Sequence, residues 1–281
     1  MEIDRIYNMD CLEGMKMMEG DSVDLIVSDP PYQLAQIDKR SPQQKDVRKG
    51  FMGKEWDVLP TTEILKEALR VMKPGAFAFW FMKPRQDSQL EFLLRLREAG
   101  FIISFTPIFW TYLSGFPKSM NISKAVDKKL GAERDKIEST GSMHIANIYG
   151  WSVSGKNKTE HLMPSNIPIT PEAQSLNGSY AGYQPKPAVE VIIVSMKPLS
   201  ERNYVDQALK NGKAITWLDD VRIPYSSPEE FEDTKRGIRR KSNSHIYGGA
   251  WDSIDTDLYH TEKGRFPSNL LVSDDALDTG E

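Results

Sequence analysis

The segment 23–32, VDLIVSDPPY, constrains the fold more than any other part of the sequence. Residues 23–27 have the length and the β-branched content of a buried strand. Pro30 and Pro31 end that strand, because a proline cannot donate to a sheet ladder and fixes its own backbone. The turn therefore presents Asp29 and Tyr32 at the carboxyl end of a strand, which is the edge where open α/β sheets bind ligands.

Strand-like and helix-like patterns alternate along the first third of the chain. The alternation predicts parallel βαβ units with right-handed crossovers, and so an α/β fold with a mostly parallel sheet. A helix is expected to begin at Thr61 or Thr62, and another to end at Gly100. The predicted strands are 3–7, 23–28, 76–81 and 101–112, and the predicted helices are 11–18, the one capped near residue 61, and 86–99.

The pattern changes after Gly115, and this change suggests the domain boundaries. Residues 115–185 are rich in Ser, Asn, Gly and Pro, and one helix is expected there, at 122–130. The apolar run VEVIIVSM at 189–196 is then expected to pair antiparallel with residues 105–112. We predict a catalytic core (1–114), a long insertion (115–185), a returning core strand (186–199), and an irregular target-recognition region with a truncated end (200–281).

Composition excludes several classes of protein. A single cysteine excludes a disulfide framework and fits a reducing compartment, so we expect a cytoplasmic protein. The sequence has no signal-peptide pattern and no apolar run near the ~20 residues of a membrane span. The four histidines lack ligand spacing, so no metal site is expected. The formal net charge of −4 still permits a local basic groove for nucleic acid.

The Asp29–Tyr32 turn has a specific chemical use. The exocyclic amine of a nucleobase is a poor nucleophile, because its lone pair is delocalised into the ring. The Asp29 carboxylate and the rigid Pro30 carbonyl can accept its two N–H bonds and so localise that lone pair. Tyr32 can stack a base pulled out of the duplex, although ordinary core packing is the alternative for this side chain.

Motifs along nearly the whole chain resemble one enzyme family. They are YNMDCLEGM, SVDLIVSDPPY, GKEWD at 53–57, EALRVMKPGAFAFWF at 67–81, SGFPKSMNISKAVDKKLG at 114–131, YQPKPAVEVIIVSMKPL at 183–199 and GRFPSNLL at 264–271. The set is similar to the amino-methylating DNA methyltransferases that use S-adenosylmethionine. Its order resembles the permuted, β-class-like subgroup of the DPPY type, in which the catalytic motif precedes the cofactor motif.

The resemblance implies a fold and a set of site residues. The fold would be a Rossmann-like sheet, mostly parallel with an antiparallel edge strand, plus irregular recognition insertions. Asp29, Pro30, Pro31 and Tyr32 would form the catalytic motif, and Asp10, Cys11 and Asp29 would contact the cofactor. Asp10 would follow the strand 3–7 and lie beside the strand of Asp29. The alternatives are that Asp10 caps the following helix and that Cys11 is a small buried residue.

The resemblance also bears on partners. The family's glycine-rich cofactor turn, which should follow GRFPSNLL, has no counterpart here, so we expect a homodimer or a complementing chain to supply it. Double-stranded DNA would be the substrate. The predicted DNA contacts are Lys118, Asn121, Lys235, Arg236, Arg239 and Arg240. A solvated charged loop is the alternative for the run KRGIRRK at 235–241.

The functional hypothesis is transfer of a methyl group from S-adenosylmethionine to adenine N6 at a specific duplex site, by base flipping. Cytosine N4 is the nearest alternative, because the local chemistry is the same. A non-catalytic DNA-recognition subunit, which needs a partner for the cofactor site, is the alternative from another class.

Overall fold

The computed structural model describes residues 2, 4–33, 56–112, 119–138, 162–183, 185–232 and 263–273. The chain forms two compact units, Met1–Leu113 with Ala188–Glu281, and Ser114–Pro187. In chain order the elements are α1 (Cys11–Lys16), β1 (Ile26–Ser28), α2 (Thr62–Val71), β2 (Phe77–Met82), α3 (Gln86–Ala99), β3 (Ile108–Thr111), α4 (Ile122–Lys129), β4 (Lys136–Glu138), β5 (Leu162–Pro164), α5 (Pro171–Ser175), β6 (Val189–Met196), α6 (Tyr204–Asn211) and β7 (Leu270–Val272).

The first unit is built on a mixed sheet, and the predicted α/β fold is confirmed. Its described strands lie in the order β1-β2-β6-β3-β7. β1 is parallel to β2, β3 is parallel to β7, and β6 is antiparallel to both of its neighbours. Four described strands therefore point in one direction and β6 alone is reversed.

The reversed strand lies inside the described sheet and not at its edge, where the sequence analysis placed it. β6 pairs with β2 from Val191 to Met196 and with β3 from Val189 to Ile192. It returns between two strands that precede it in the chain, so backbone groups on both of its sides are hydrogen-bonded. The predicted antiparallel pairing with residues 105–112 is confirmed.

Several element boundaries follow from local chemistry, as the sequence predicted. The Thr61 hydroxyl accepts the N–H of Ile64 at 3.3 Å and begins α2. Gly100 ends α3 in the left-handed region at φ +104°, where a glycine has no Cβ penalty. Helix α4 also forms at the predicted place.

The predicted strand 3–7 is wrong for the part of it that the structure describes. Residues 4–7 pair with no strand, Asp4 adopts a positive φ of 60°, and Ile6 is fully exposed. A local loop replaces the strand, because the Tyr7 hydroxyl accepts the backbone N–H of Glu2 at 2.8 Å. Short apolar runs of this kind satisfy a strand pattern without having a neighbour to pair with.

The strand before the proline turn is shorter and more exposed than predicted. Only Ile26–Ser28 is regular, with an isolated bridge from Val23 to Met72. Leu25 and Val27 are 51% and 63% exposed, while Ile26 packs against the core. β1 is the last strand at one side of the described sheet. No described element pairs with its outer edge or packs on the face that carries Leu25 and Val27.

Two further differences lie later in the chain. The strand expected at 101–112 is reduced to Ile108–Thr111, with a single bridge from Ile102 to Met196. Residues 204–211, expected to be irregular, form helix α6. Asn203 caps that helix by accepting the N–H of Asp206 at 2.9 Å, and Gly212 ends it at φ +69°.

The core lies on one face of the sheet. Alternate residues of β2, Ala78, Trp80 and Met82, are buried against α2 and α3. Trp80 packs edge-on against Phe92 at 5.7 Å between ring centroids. Its indole N–H donates to the Ser195 hydroxyl at 2.8 Å, so the buried polar groups are paired. This packing fixes β2 and β6 relative to each other beneath the candidate site.

The second unit is organised around a buried ion pair. Arg134 Nε donates to Asp127 Oδ2 at 2.6 Å, and their side chains are only 4% and 1% exposed. Asp127 also accepts the N–H groups of Ile169 and Thr170 and the Thr170 hydroxyl. Arg134 donates in addition to the Ser123 hydroxyl at 2.7 Å. These bonds tie α4 to the segment leading into α5.

None of the helices in the described part of the chain is long and apolar enough to cross a membrane.

Candidate active site

The Asp29–Tyr32 turn lies at the carboxyl end of β1, as the sequence predicted from its prolines. Asp29 is exposed, Pro30 is buried, and Tyr32 is partly buried against the core cluster. Within the described residues no group donates a hydrogen bond to the Asp29 carboxylate or to the Pro30 carbonyl. Both oxygens are therefore free to accept hydrogen bonds from a ligand. The contact of Tyr32 with the core corresponds to the packing alternative.

A lysine on the neighbouring strand holds the turn. Lys83 follows β2 directly, and its Nζ donates to the backbone carbonyl of Gln33 at 2.5 Å. Gln33 has a positive φ of 48°, which only a minority of non-glycine residues adopt. Burial first, and then the charge of Arg85, lower the pKa of Lys83 to about 8. The sequence analysis missed Lys83; its position just after an aromatic strand, at the ligand-binding edge, was the available signal.

A second carboxylate lies on β6, near the same edge. Glu190 pairs with Trp110 of β3 in the sheet register and is partly buried. Burial first, and then the negative charge of Asp29, raise the pKa of Glu190 above its ordinary value. The sequence analysis missed this residue as well. The signal was an acid between two valines in an otherwise apolar strand.

Aromatic side chains adjoin Glu190. The ring centroids of Phe81 and Trp110 are 6.2 Å apart, and those of Trp110 and Tyr112 are 6.3 Å apart, each pair nearly edge-on. All three side chains are only partly buried. They form a continuous aromatic row, which can offer a base π-stacking contacts.

Asp10 caps helix α1, which was the alternative considered for it. Its Oδ1 accepts the N–H groups of Leu12 and Glu13 at 2.9 and 3.2 Å. Asp10 and Cys11 are both exposed, so the expectation that Cys11 is buried is wrong. The predicted strand 3–7 would have placed Asp10 beside Asp29, but residues 4–7 form no strand. No described contact joins the two acids. Asp10 Oδ2 has no partner among the described residues.

The predicted DNA contacts fall in two groups. Lys118, Lys235, Arg236, Arg239 and Arg240 lie outside the described residues. Asn121 is described: its Oδ1 accepts the N–H of Lys124 at 2.9 Å and caps α4. The cap occupies the oxygen of this side chain, so a contact with DNA would use its Nδ2 group.

Sequence comparison gives one informative relative. No family model matches the chain. Over 95 residues it is 30% identical to the type II methyltransferase M.BamHI of Bacillus amyloliquefaciens, a match that covers 34% of this chain and 21% of that protein. Over about a third of its length, the chain is similar to a type II methyltransferase, and it spans about a fifth of that relative. The resemblance inferred from the motifs is confirmed to this extent.

The solved structures that match the chain are more distant in sequence. A putative DNA modification methylase from Thermus thermophilus, complexed with S-adenosyl-L-methionine, matches with a TM-score of 0.34 and 15% identity, over 76% of this chain and 63% of that one. The cytosine-N4-specific PvuII DNA methyltransferase matches with a TM-score of 0.30 and 13% identity, over 83% and 61%. At these values the likeness adds nothing to the fold that the sheet itself defines.

Proposed function

We propose that this chain carries the catalytic part of a DNA methyltransferase that moves a methyl group from S-adenosylmethionine to adenine N6 in double-stranded DNA. The observation that carries the proposal is the Asp29–Tyr32 turn. It combines an exposed carboxylate and a carbonyl on a buried proline, and neither has a hydrogen-bond donor among the described residues. The similarity to a type II methyltransferase supports the same reaction class.

Different groups of the turn would contact the target amine and the base that carries it. Asp29 and the Pro30 carbonyl each accept one N–H of the exocyclic amine, which draws the nitrogen lone pair out of the ring system. The buried Pro30 ring holds its carbonyl rigidly, so little entropy is lost when the amine binds. Tyr32 contacts the core on one side, and stacking of the extruded base on its ring would contribute about 1–3 kcal/mol.

The cofactor fits the chemistry of the exposed acids. When bound, S-adenosylmethionine supplies a methyl group attached to a positively charged sulfur. Carboxylates without cationic partners suit such a cation and its amino group, and Asp29 and the free Oδ2 of Asp10 are acceptors of this kind. Asp29 and Asp10 are therefore the residues that would hold it, with Cys11 contributing at most its backbone. The glycine-rich turn would come from a complementing chain, from a second copy, or from sequence outside this one.

Adenine is preferred to cytosine because of Asp29. In the family that the motifs resemble, a serine is commoner at this position when cytosine N4 is the target. Asn121 and the basic run at 235–241 would contact phosphates, which position the duplex without reading its sequence.

The proposal is tested by identifying the methylated base. The full-length protein is incubated with duplex DNA and cofactor labelled in the methyl group, and the DNA is digested to nucleosides. We expect the label in N6-methyl-2′-deoxyadenosine. Label in N4-methyl-2′-deoxycytidine would overturn the assignment to adenine. Unlabelled DNA with retained DNA binding would favour a non-catalytic recognition subunit.

A further inference from the structure

Glu190 lies on the same face of the sheet as Asp29. Residues paired across neighbouring strands project to the same face, and successive residues alternate between faces. Trp80 and its partner Ile193 project toward the helices, so Phe81 and its partner Ile192 project to the other face. Glu190, two residues before Ile192, shares that second face, as does its partner Trp110. Asp29 follows Ser28, the partner of Trp80, and continues onto the second face.

The two carboxylates flank the end of one strand. β1 and β6 are separated only by β2, so their backbones are roughly 10 Å apart across the sheet. Phe81 projects from β2 between them, next to Trp110. Asp29 and Glu190 therefore lie on either side of Phe81 on this face of the sheet, so a planar group above the ring would meet a carboxylate on each side. The effect of the Asp29 charge on the pKa of Glu190 agrees with this proximity.

No contact in the described part of the chain stabilises the ionised carboxylate of Glu190. It makes no hydrogen bond or ion pair with any described residue. Burial and the like charge of Asp29 both disfavour its ionised form, so the position destabilises the folded protein at neutral pH. Among the described residues, Asp29 is the charged group that acts on Glu190. The titratable groups next to it in the sheet register are Tyr112, two residues after Trp110, and Lys83, which follows Met82, the partner of Val191. The Lys83 ammonium is bound to the Gln33 carbonyl. Perturbed carboxylates of this kind cluster at functional sites.

We propose that Glu190 is a further catalytic residue, which accepts the proton released when the amine is methylated. This role deepens the proposed function and rests on it. The nitrogen lone pair forms the new bond to the methyl carbon, and the electron pair of the broken carbon–sulfur bond stays on sulfur. The nitrogen then carries a positive charge and one surplus proton, which passes to the Glu190 carboxylate and from there to solvent. Asp29 keeps its role as a hydrogen-bond acceptor throughout.

The division of roles follows from the surroundings of the two acids. Asp29 is exposed, whereas Glu190 is partly buried and binds a proton more strongly than an ordinary glutamate. A general base works best when its pKa lies nearer the working pH. Glu190, whose pKa is raised toward that range, therefore suits proton acceptance.

The first test measures the coupling of the two acids without any methyl transfer. Carboxyl carbons of glutamate are followed by NMR across a pH titration in the wild type, Asp29→Asn and Asp24→Asn, with Glu190→Gln used to assign the signal. Asp29→Asn should lower the pKa of Glu190, because it removes one of the two causes that raise it. Asp24→Asn, at an exposed acid of the same segment, should leave it unchanged. If the pKa of Glu190 were the same in Asp29→Asn as in the wild type, the claim that Asp29 and Glu190 share one site would be overturned.

The second test measures single-turnover methylation by the full-length protein. Glu190→Gln, which keeps shape and removes the base, should slow the methyl-transfer step by about 10²-fold and leave DNA binding intact. The wild-type rate should fall as pH drops through the pKa of Glu190, and the Gln variant should lack this acid limb. Glu190→Asp should restore part of the rate. Glu201→Gln, at a carboxylate bound to Lys210, is the control and should match the wild type.

The outcomes separate this inference from the proposed function. If neither the wild type nor Asp29→Ala methylates DNA, the proposed function fails and Glu190 has no reaction to serve. If the wild type is active, Asp29→Ala is inactive, and Glu190→Gln matches the wild type in rate and pH profile, only the role of Glu190 is overturned.

Discussion

Lys83 Nζ donates a hydrogen bond of 2.5 Å to the backbone carbonyl of Gln33, and so ties the end of β2 to the residue that follows the DPPY turn. The bond joins two strands that are parallel neighbours, at the edge where their carboxyl ends meet. It holds Gln33 in a left-handed conformation at φ +48°. The position of Asp29 and Tyr32 therefore depends on a residue about fifty positions away in the sequence.

Replacing Lys83 should weaken catalysis more than binding. Lys83→Met keeps the apolar stem but leaves the Gln33 carbonyl without its donor, so the turn becomes less rigid. Small displacements of catalytic groups cost up to about 10²-fold in rate, and we expect a loss of about 10-fold or more in single-turnover methylation. DNA affinity, measured by fluorescence anisotropy, should change little.

Lys73→Met is the matched control for this lysine. Lys73 precedes β2, at the opposite end of the strand, and pairs with the exposed Asp24. Such surface pairs contribute about 0–1 kcal/mol, so this variant should keep the wild-type rate. Equal rates for Lys83→Met and the wild type would show that the turn holds its shape without the bond.

Glu190→Gln should stabilise the folded protein at neutral pH. The folded-state pKa of Glu190 is raised, so its favourable contribution is present below the ordinary value of 4.5 and is lost as pH rises through the raised pKa. Glutamine carries no charge to bury. Melting temperatures of the variant and the wild type should therefore agree near pH 4 and diverge toward pH 8, with the variant higher.

Glu201→Gln provides a control of opposite sign. The hydrogen bond from Lys210 lowers the pKa of Glu201, so its removal should not raise the melting temperature at pH 8. If Glu190→Gln melted at or below the wild type at pH 8, the residue would be paired in a way that the described contacts do not include.

Asp127→Asn should destabilise the second unit at neutral pH. Burial raises the pKa of Asp127, but hydrogen bonds from Thr170, Ile169 and Arg134 outweigh it and hold the pKa well below its usual range. This contribution is present above the ordinary value of 3.8 and is lost as pH falls through the lowered folded-state pKa. The melting temperature of the variant should lie well below the wild type at pH 7, with a gap that narrows in strong acid.

The neighbouring Asp135 gives a control for this ion pair. It is exposed, and the described bond at this residue uses its backbone carbonyl and not its carboxylate. Asp135→Asn should change stability by no more than about 0.5 kcal/mol. A similar effect of both variants would mean that Asp127 acts through net charge and not through its hydrogen bonds.

The parts of the fold that the sequence predicted depend on local signals. Thr61 caps α2 and Gly100 ends α3 because their own chemistry satisfies helix termini, whatever lies around them. The proline turn after β1 is of the same kind. β6 was found from its continuous apolar run, which is typical of a strand buried on both faces.

The predictions that were wrong concern features that depend on neighbouring parts of the chain. Residues 4–7 have a strand pattern but no pairing partner, so Ile6 lies in solvent. The place of β6 between β2 and β3 depends on sheet order, which a pattern along one strand does not define. Helix α6 was missed although Asn203 and Gly212 are ordinary boundary residues, because the charged surroundings hid the pattern.

The residues of the candidate site also fall into those that a local motif predicts and those that only the fold brings together. Asp29 and Tyr32 were found from a local motif, whereas Lys83 and Glu190 come to the site only through the pairing of β1, β2 and β6. A lysine after a strand and an acid within one are each common. Only the register brings them to one edge.

The central claim is that the Asp29 carboxylate handles the target amine, and the transfer of labelled methyl groups to duplex DNA by Asp29→Ala tests it most directly. Asp24→Ala, five positions earlier and also exposed, is measured beside it. Asp29 has no partner among the described residues, and the partners of Asp24 are the lysines of exposed ion pairs, Lys73 and Lys213, so both variants should fold and bind DNA like the wild type. We predict background transfer for Asp29→Ala and near wild-type transfer for Asp24→Ala. Wild-type transfer by Asp29→Ala would contradict the account.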